Sequence, residues 1–212
     1  VKTSGVLGEI QLGNILEQIL APEQYDANVK TKKESDALVE FAIKLPGKSH
    51  NSGPVYLPVD AKFPQEDYTR LQSAYESGDN KIIEASLRSL LGSIKKFARD
   101  ISERYVDPPH TTDFGIMFLP FEGLYAEVTR HPEIISLLQR EYKIIITVPT
   151  TLAAMLNSLQ MGFKTFTIQK RSSEVCEILA RVDKEFYNFG TVIEKTQQKL
   201  NEDETEIETM VN

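Results

Sequence analysis

Tyr56-Leu57-Pro58-Val59-Asp60-Ala61-Lys62-Phe63-Pro64 is a short apolar run that ends in an acid and a base two positions apart. Residues at i and i+2 of a β-strand point to the same face. A strand here therefore puts Val55, Leu57, Val59, Ala61 and Phe63 on one apolar face and Asp60 with Lys62 on the other. Phosphodiester chemistry uses such a pairing: the carboxylate can hold a divalent cation, and the ammonium can orient water and neutralise phosphate charge. Alone, Asp-x-Lys reads first as a solvated charge pair, so its neighbours carry the weight.

Residues 36–45, Asp36-Ala37-Leu38-Val39-Glu40-Phe41-Ala42-Ile43-Lys44-Leu45, alternate with a period of two and predict a second strand. Ala37, Val39, Phe41, Ile43 and Leu45 would face the core, and Asp36, Leu38, Glu40 and Lys44 away from it. The turn-rich connection over 46–54 makes the two strands antiparallel. Asp36 then converges on Asp60 and Lys62. The connection is too long to fix the register, and a shifted register puts Glu40 opposite Asp60 instead. Upstream, residues 25–33 read as a lysine-rich edge strand. Residues 8–20 read as a helix with a stripe of Leu12, Ile15, Leu16, Ile19 and Leu20, ended by Ala21-Pro22. Glu9 falls in that stripe, in line with Leu16 and Leu20. A carboxylate there needs a partner or a cation, or serves the helix dipole in the first turn.

Downstream, residues 68–105 read as mostly helical, with Arg88, Lys95 and Arg99 on one face beside Gly92 and Lys96. That stripe is either a solvated face or a phosphate-backbone contact. The apolar runs over 113–120 and 143–149 predict buried parallel strands. Between them lies a helix over 122–142, broken at His131-Pro132. Thr150 or Thr151 can cap the next helix, and residues 162–169 suggest a short strand or loop. From Ser172 onward Val175, Leu179, Val182, Phe186, Phe189 and Ile193 are spaced 4, 3, 4, 3, 4, as in a heptad seam or a packed terminal helix. The predicted fold is α/β: a mixed central sheet flanked by helices, with a long C-terminal helix. The expected division is a core over 1–183 and, over 184–212, a helical extension with an acidic, disordered tail.

With 212 residues and 41% hydrophobic content the chain can bury one good core. It has no run of about eighteen apolar residues and no signal-peptide pattern. It starts on Val1 and reads as a fragment of a longer protein. Cys176 is the single cysteine; it excludes an internal disulfide, fits a reducing compartment and is expected as a small buried hydrophobe. The net charge of −7 argues against nonspecific coating of nucleic acid, although the five acids over 201–208 account for most of it. His50, His110 and His131 lack metal-ligand spacing and receive no role. No phosphate-binding loop or dinucleotide fingerprint is present, so no nucleotide cofactor is expected. Glu122 follows a strand end, where α/β sheets often place functional groups, but a helix-start carboxylate explains it as well.

Taken together, the acids on the first helix and on the second and third strands, with a lysine two past the last acid, resemble the PD-(D/E)xK nuclease core. The signature here is Glu9, Asp36 and Asp60-Ala61-Lys62. Ser35 stands where the proline of the name would be, and Asp60 replaces the commoner Glu. A closer resemblance is to the RmuC family of DNA recombination proteins. It is carried by Gly8-Glu9-Ile10-Gln11-Leu12, Val39-Glu40-Phe41-Ala42-Ile43-Lys44-Leu45-Pro46-Gly47, Val59-Asp60-Ala61-Lys62-Phe63-Pro64, Met117-Phe118-Leu119-Pro120-Phe121-Glu122-Gly123-Leu124-Tyr125 and Pro149-Thr150-Thr151-Leu152. It covers most of residues 6–185.

That resemblance implies a restriction-endonuclease-like core from a bacterial protein whose full length carries an upstream coiled coil, often with a membrane anchor. It also implies a cytoplasmic, metal-dependent DNA endonuclease that limits rearrangement between inverted repeats. On this reading Asp36 and Asp60 hold Mg²⁺ or Mn²⁺, and Lys62 orients the water or stabilises the pentacovalent charge. Glu9 completes the metal shell or holds a ligating water. Gln11, Arg88, Lys95 and Arg99 contact the nucleic acid. DNA is the expected partner, homo-oligomers would form through the helical segments, and no membrane contact is expected within this fragment. The competing expectations are a catalytically silent DNA-binding or coiled-coil scaffold with the same fold, and a metal-dependent enzyme on another phosphate ester.

Overall fold

The computed structural model describes residues 2–47 and 53–211; most of the 46–54 connection, with His50, lies outside the described residues. The chain divides into two units, residues 1–162 and 163–212. In the first, β1 (Tyr25–Val29), β2 (Val39–Leu45), β3 (Val55–Ala61), β4 (Gly115–Phe118) and β5 (Ile144–Thr147) form one mixed sheet in sequence order. β1, β2 and β3 pair antiparallel, whereas β3, β4 and β5 pair parallel. The two apolar runs read as buried parallel strands take those positions; the edge strand expected over 25–33 is shorter, since β1 ends at Val29 and Lys30, Lys32 and Lys33 follow it outside the sheet.

Helices cover both faces. On one lies α1 (Lys2–Ile19). A Cβ added at Gly8 would come within 3.5 Å of the Ala61 methyl, and one at Gly13 within 3.1 Å of the Phe41 ring. These glycines let α1 lie close to β2 and β3. Leu12 and Leu16 are fully buried there. On the other face α2 (Gln65–Ser77) and α3 (Asn80–Tyr105) pack together with α4 (Glu122–Thr129) and α5 (Pro132–Arg140). Leu71, Leu90, Ile94, Ala98, Ile101, Met117, Leu124 and Leu138 belong to that core. Because both faces are covered, Ala42 is as buried as Ile43, and the expected one-sided alternation of β2 does not hold.

Local signals explain where the helices break. Gly78 at φ +68° ends α2 in a conformation that favours glycine, and the Asp79 carboxylate accepts from the Lys81 and Ile82 N–H groups to start α3. Gly115 sets how closely α3 approaches the sheet. A Cβ there would lie 3.2 Å from Ile144 Cδ1 and 3.4 Å from both Ile101 Cγ2 and Pro58 Cγ. Gly115→Ala should therefore lower unfolding stability by about 1–3 kcal/mol, as overpacking does in a close-packed core; urea denaturation measures it.

The last helix, α6 (Pro149–Val211), runs through residues 162–169, where a strand or loop was predicted, and on through the acidic tail. The weak alternation that suggested extended structure there gives way to continuous helix, in which Thr167 Oγ1 donates to the Phe163 carbonyl. In the first unit Leu152 and Leu156 are buried, and Gln160 Nε2 donates to the Ile19 carbonyl at 2.6 Å. In the second unit Val175, Leu179, Val182, Phe186, Phe189 and Ile193 are exposed along the helix. Cys176 is exposed too, not buried as its apolar surroundings in sequence suggested. Those neighbours form a stripe on a single helix instead of a core. Among the described residues no helix is long and apolar enough to cross a membrane.

Candidate metal centre

The register of β2 against β3 decides which acids meet. Phe41 pairs with Val59 and Ala42 with Pro58, and the next step along the same ladder sets Glu40 opposite Asp60. The two carboxylates are held reciprocally across the strands. Glu40 Oε2 accepts from the Ala61 N–H at 2.8 Å, and the Asp60 carboxylate accepts from the Glu40 N–H. Lys62, two residues past Asp60 on the same face, forms an ion pair with Asp60 Oδ2. That oxygen has no regular hydrogen bond besides. The Lys62 N–H donates to the Phe118 carbonyl at 2.9 Å, which keeps the chain in register with β4 beyond the end of β3.

Burial sets the electrostatics. The Asp60 side chain is 2% exposed and that of Lys62 27%. Burial, then the charge of Asp60, pushes the Glu40 carboxyl up to about 7, against the Ala61 N–H and Lys62. Burial also raises Asp60, with the Lys62 ammonium opposing it. For Lys62 burial works against the charge, but Asp60 and then Glu40 outweigh it and hold the ammonium above its ordinary range. Tyr105, buried at the end of α3, is raised by its burial and by Asp60. The cluster is thus two carboxyls and one ammonium in a partly dry setting, with one carboxyl near half-protonation at neutral pH.

The structure redistributes the sequence-predicted site residues. Asp60 and Lys62 come together as expected. Asp36 does not join them: its side chain is fully exposed and pairs with Lys30 at 3.2 Å. The correction follows from the register, since β2 begins at Val39 and leaves Asp36 in the preceding turn region. Glu40 takes its place. Glu9, half-buried on α1, reaches the cluster only through its charge, the weakest of the influences on Glu40. Gln11 is two positions from Glu9 on the helix, and such residues do not share a face. Arg88 pairs with Glu84 at 4.0 Å, and Arg99 donates to Tyr142 Oη at 3.2 Å with its guanidinium over that ring. Lys95 is half-buried on α3. Glu122 accepts from the Thr150 N–H and Oγ1 at the start of α6, which is the helix-start reading of that residue.

Among the described residues no group of three or more His, Cys, Asp or Glu side chains is arranged to hold a metal ion. The Glu40–Asp60 pair is a smaller donor set, and its chemistry fits a hard divalent cation. Mg²⁺ commonly binds one or two carboxylates, with water and substrate phosphate filling its other positions. Glu40 Oε1, left free by the Ala61 N–H bond to Oε2, and the Asp60 carboxylate would be the protein's donors.

The fold is thus that of a mixed α/β protein with a buried carboxyl–ammonium cluster at the end of a central strand. The chain belongs to the RmuC family, whose profile matches residues 1–212. It is 47% identical over 201 residues to the DNA recombination protein RmuC homolog of two Xylella fastidiosa strains, covering 95% of this chain and 44% of theirs. It is 26% identical over 202 residues to the DNA recombination protein RmuC homolog of Chlamydia pneumoniae, covering 93% of this chain and 45% of that one. The chain thus spans under half the length of these relatives. No solved structure matches it.

Proposed function

We propose that this part of the chain is a divalent-metal-dependent nuclease core acting in DNA recombination, built on a PD-(D/E)xK-like arrangement. The observation that carries the reading is the buried Glu40–Asp60–Lys62 cluster, two hard-oxygen donors with a cation beside them. The relatives' description as DNA recombination proteins supports DNA as the substrate. Asp60 and Glu40 would hold the cation. When bound, it supplies Lewis-acid polarisation of the phosphate and a more acidic water.

The remaining work falls to the chain's own groups. Lys62 Nζ, anchored by Asp60, sits where it can donate to a nonbridging phosphate oxygen and offset charge that develops on it. The Ala61 N–H holds Glu40 Oε2, which leaves the other oxygen of that carboxylate for the cation. Burial of Asp60 keeps water from screening the pair.

The test is incubation of supercoiled plasmid with the protein and Mg²⁺ or Mn²⁺. Nicked or linear product from the wild type, absent with Asp60→Asn and with EDTA, supports the reading. DNA binding without cleavage under every metal condition would favour a scaffold with a nuclease-like fold.

A further inference from the structure

Away from the carboxylates, Lys30, Thr31, Lys32, Lys33, Tyr56 and His110 line a cleft of about 400 Å³. Three of the six are lysines within four residues of sequence. Lys30 is paired only with the fully exposed Asp36, a weak pairing on the surface. The Lys32 ammonium is held by a backbone carbonyl, that of Glu103, at 3.0 Å. The Lys33 N–H donates to Asp107 Oδ2 at 3.4 Å, and the Lys33 side chain is exposed. Carboxylates stand at the cleft's edge, Asp36 at Lys30, Asp107 at the Lys33 N–H and Asp26 at the Tyr56 hydroxyl; among the described residues none forms an ion pair with the Lys33 side chain.

The cleft connects to the acid–lysine cluster in two ways. Tyr56 and Asp60 lie on the same face of β3, four residues apart, which is about 13 Å at 3.3 Å per residue. Thr31 Oγ1 donates to the Tyr105 carbonyl at 2.8 Å, and the Tyr105 phenol feels the charges of Asp60, Lys62 and Glu40. Arg104, exposed in the last turn of α3, also acts on Asp60. The lysines of the cleft and Lys62 of the cluster therefore stand at the two ends of that stretch of β3. Along one strand of a duplex its span corresponds to about four nucleotide steps.

We propose that this lysine cleft binds a backbone phosphate of duplex DNA whose neighbouring stretch is presented to Asp60 and Lys62. The proposal rests on the nuclease reading of that cluster, and it names the surface along which the substrate lies. The exposed face of α3 is a poorer candidate, because Arg99 is already held by Tyr142 Oη with its guanidinium over that ring.

Fluorescence anisotropy with a labelled duplex of about 20 base pairs tests it, in Ca²⁺ so that binding is read without cleavage, over a series of salt concentrations. Lys30→Ala/Lys33→Ala should weaken binding about 10-fold or more near 0.1 M salt and reduce the slope of log K against log salt by about 1–2. Lys32 stays intact because it also holds the end of α3. Circular dichroism melting of the double variant should match the wild type. An unchanged slope and affinity would overturn the proposal, as would failure of the wild type to bind the duplex. So would a loss confined to Arg88→Ala. Cleavage by the wild type that Lys62→Ala abolishes reads the nuclease proposal separately. A cleft that binds DNA beside an inactive cluster would thus sink that reading and leave this one standing.

Discussion

Lys62→Ala should reduce DNA cleavage by about 100- to 1,000-fold, the usual effect of losing one donor that stabilises transition-state charge. The same change removes the partner of a carboxylate whose side chain is 2% exposed. Stability at pH 8 should fall by about 3 kcal/mol, because a buried charge is left uncompensated. The two effects can be told apart by pH and by Lys62→Arg. Burial holds the folded-state Asp60 above its ordinary value, and losing Lys62 raises it further. The variant's deficit is therefore largest at alkaline pH and fades as pH falls through the folded-state value, vanishing below the unfolded value of about 4. Lys62→Arg should recover most of the stability while cleavage stays impaired, since a planar guanidinium does not reproduce a compact ammonium at the phosphate. Urea denaturation across pH, together with plasmid-cleavage rates, measures both.

Glu40→Gln should make the metal-free protein more stable at pH 8, by about 2 kcal/mol, a figure below the full linkage value because the residue is partly exposed. Gln can still accept from the Ala61 N–H, so the change removes charge and keeps the bond. The folded-state carboxyl sits at about 7 against an ordinary 4.5. A raised value favours the folded state fully below about 4.5, and that contribution is lost as pH rises through 7. Wild type and variant should accordingly converge below about pH 4.5, diverge between about 4.5 and 7, and keep a constant difference above 7. A divalent cation should reverse the order, stabilising the wild type by mass action and leaving the variant unmoved. Denaturation in EDTA and in Mn²⁺ checks both halves.

Much of the site was legible because strand periodicity is strict. Asp60 and Lys62 had to share a face once residues 56–62 formed a strand, and the apolar run beside them had to be buried. What sequence could not supply was the partner of Asp60. A connection of nine residues imposes no register, so Asp36 and Glu40 remained alternatives until the Phe41–Val59 pairing chose Glu40. Helix reading fared unevenly for a related reason. The break at Gly78-Asp79 and that at His131-Pro132 have local chemical causes. Residues 162–169 carry only weak β-propensity, which the continuing helix overrides. Arg99 looked available on a helical wheel because its stacking on Tyr142 is a tertiary contact that a wheel does not contain, whereas the Arg88–Glu84 pair is an i,i+4 spacing the sequence already holds. The lysines of residues 30–33 were visible as a basic edge. Their closure into a cleft with Tyr56 and His110 requires the fold.

The central claim is that Glu40 and Asp60, not Asp36 and Asp60, form the metal centre. Calorimetric titration of Mn²⁺ into wild type, Glu40→Gln and Asp36→Asn tests it most directly. The account predicts one saturable site in the wild type, retained in Asp36→Asn and lost in Glu40→Gln. Binding that survives Glu40→Gln and disappears in Asp36→Asn would contradict it, as would a wild type that takes up no cation with or without duplex DNA.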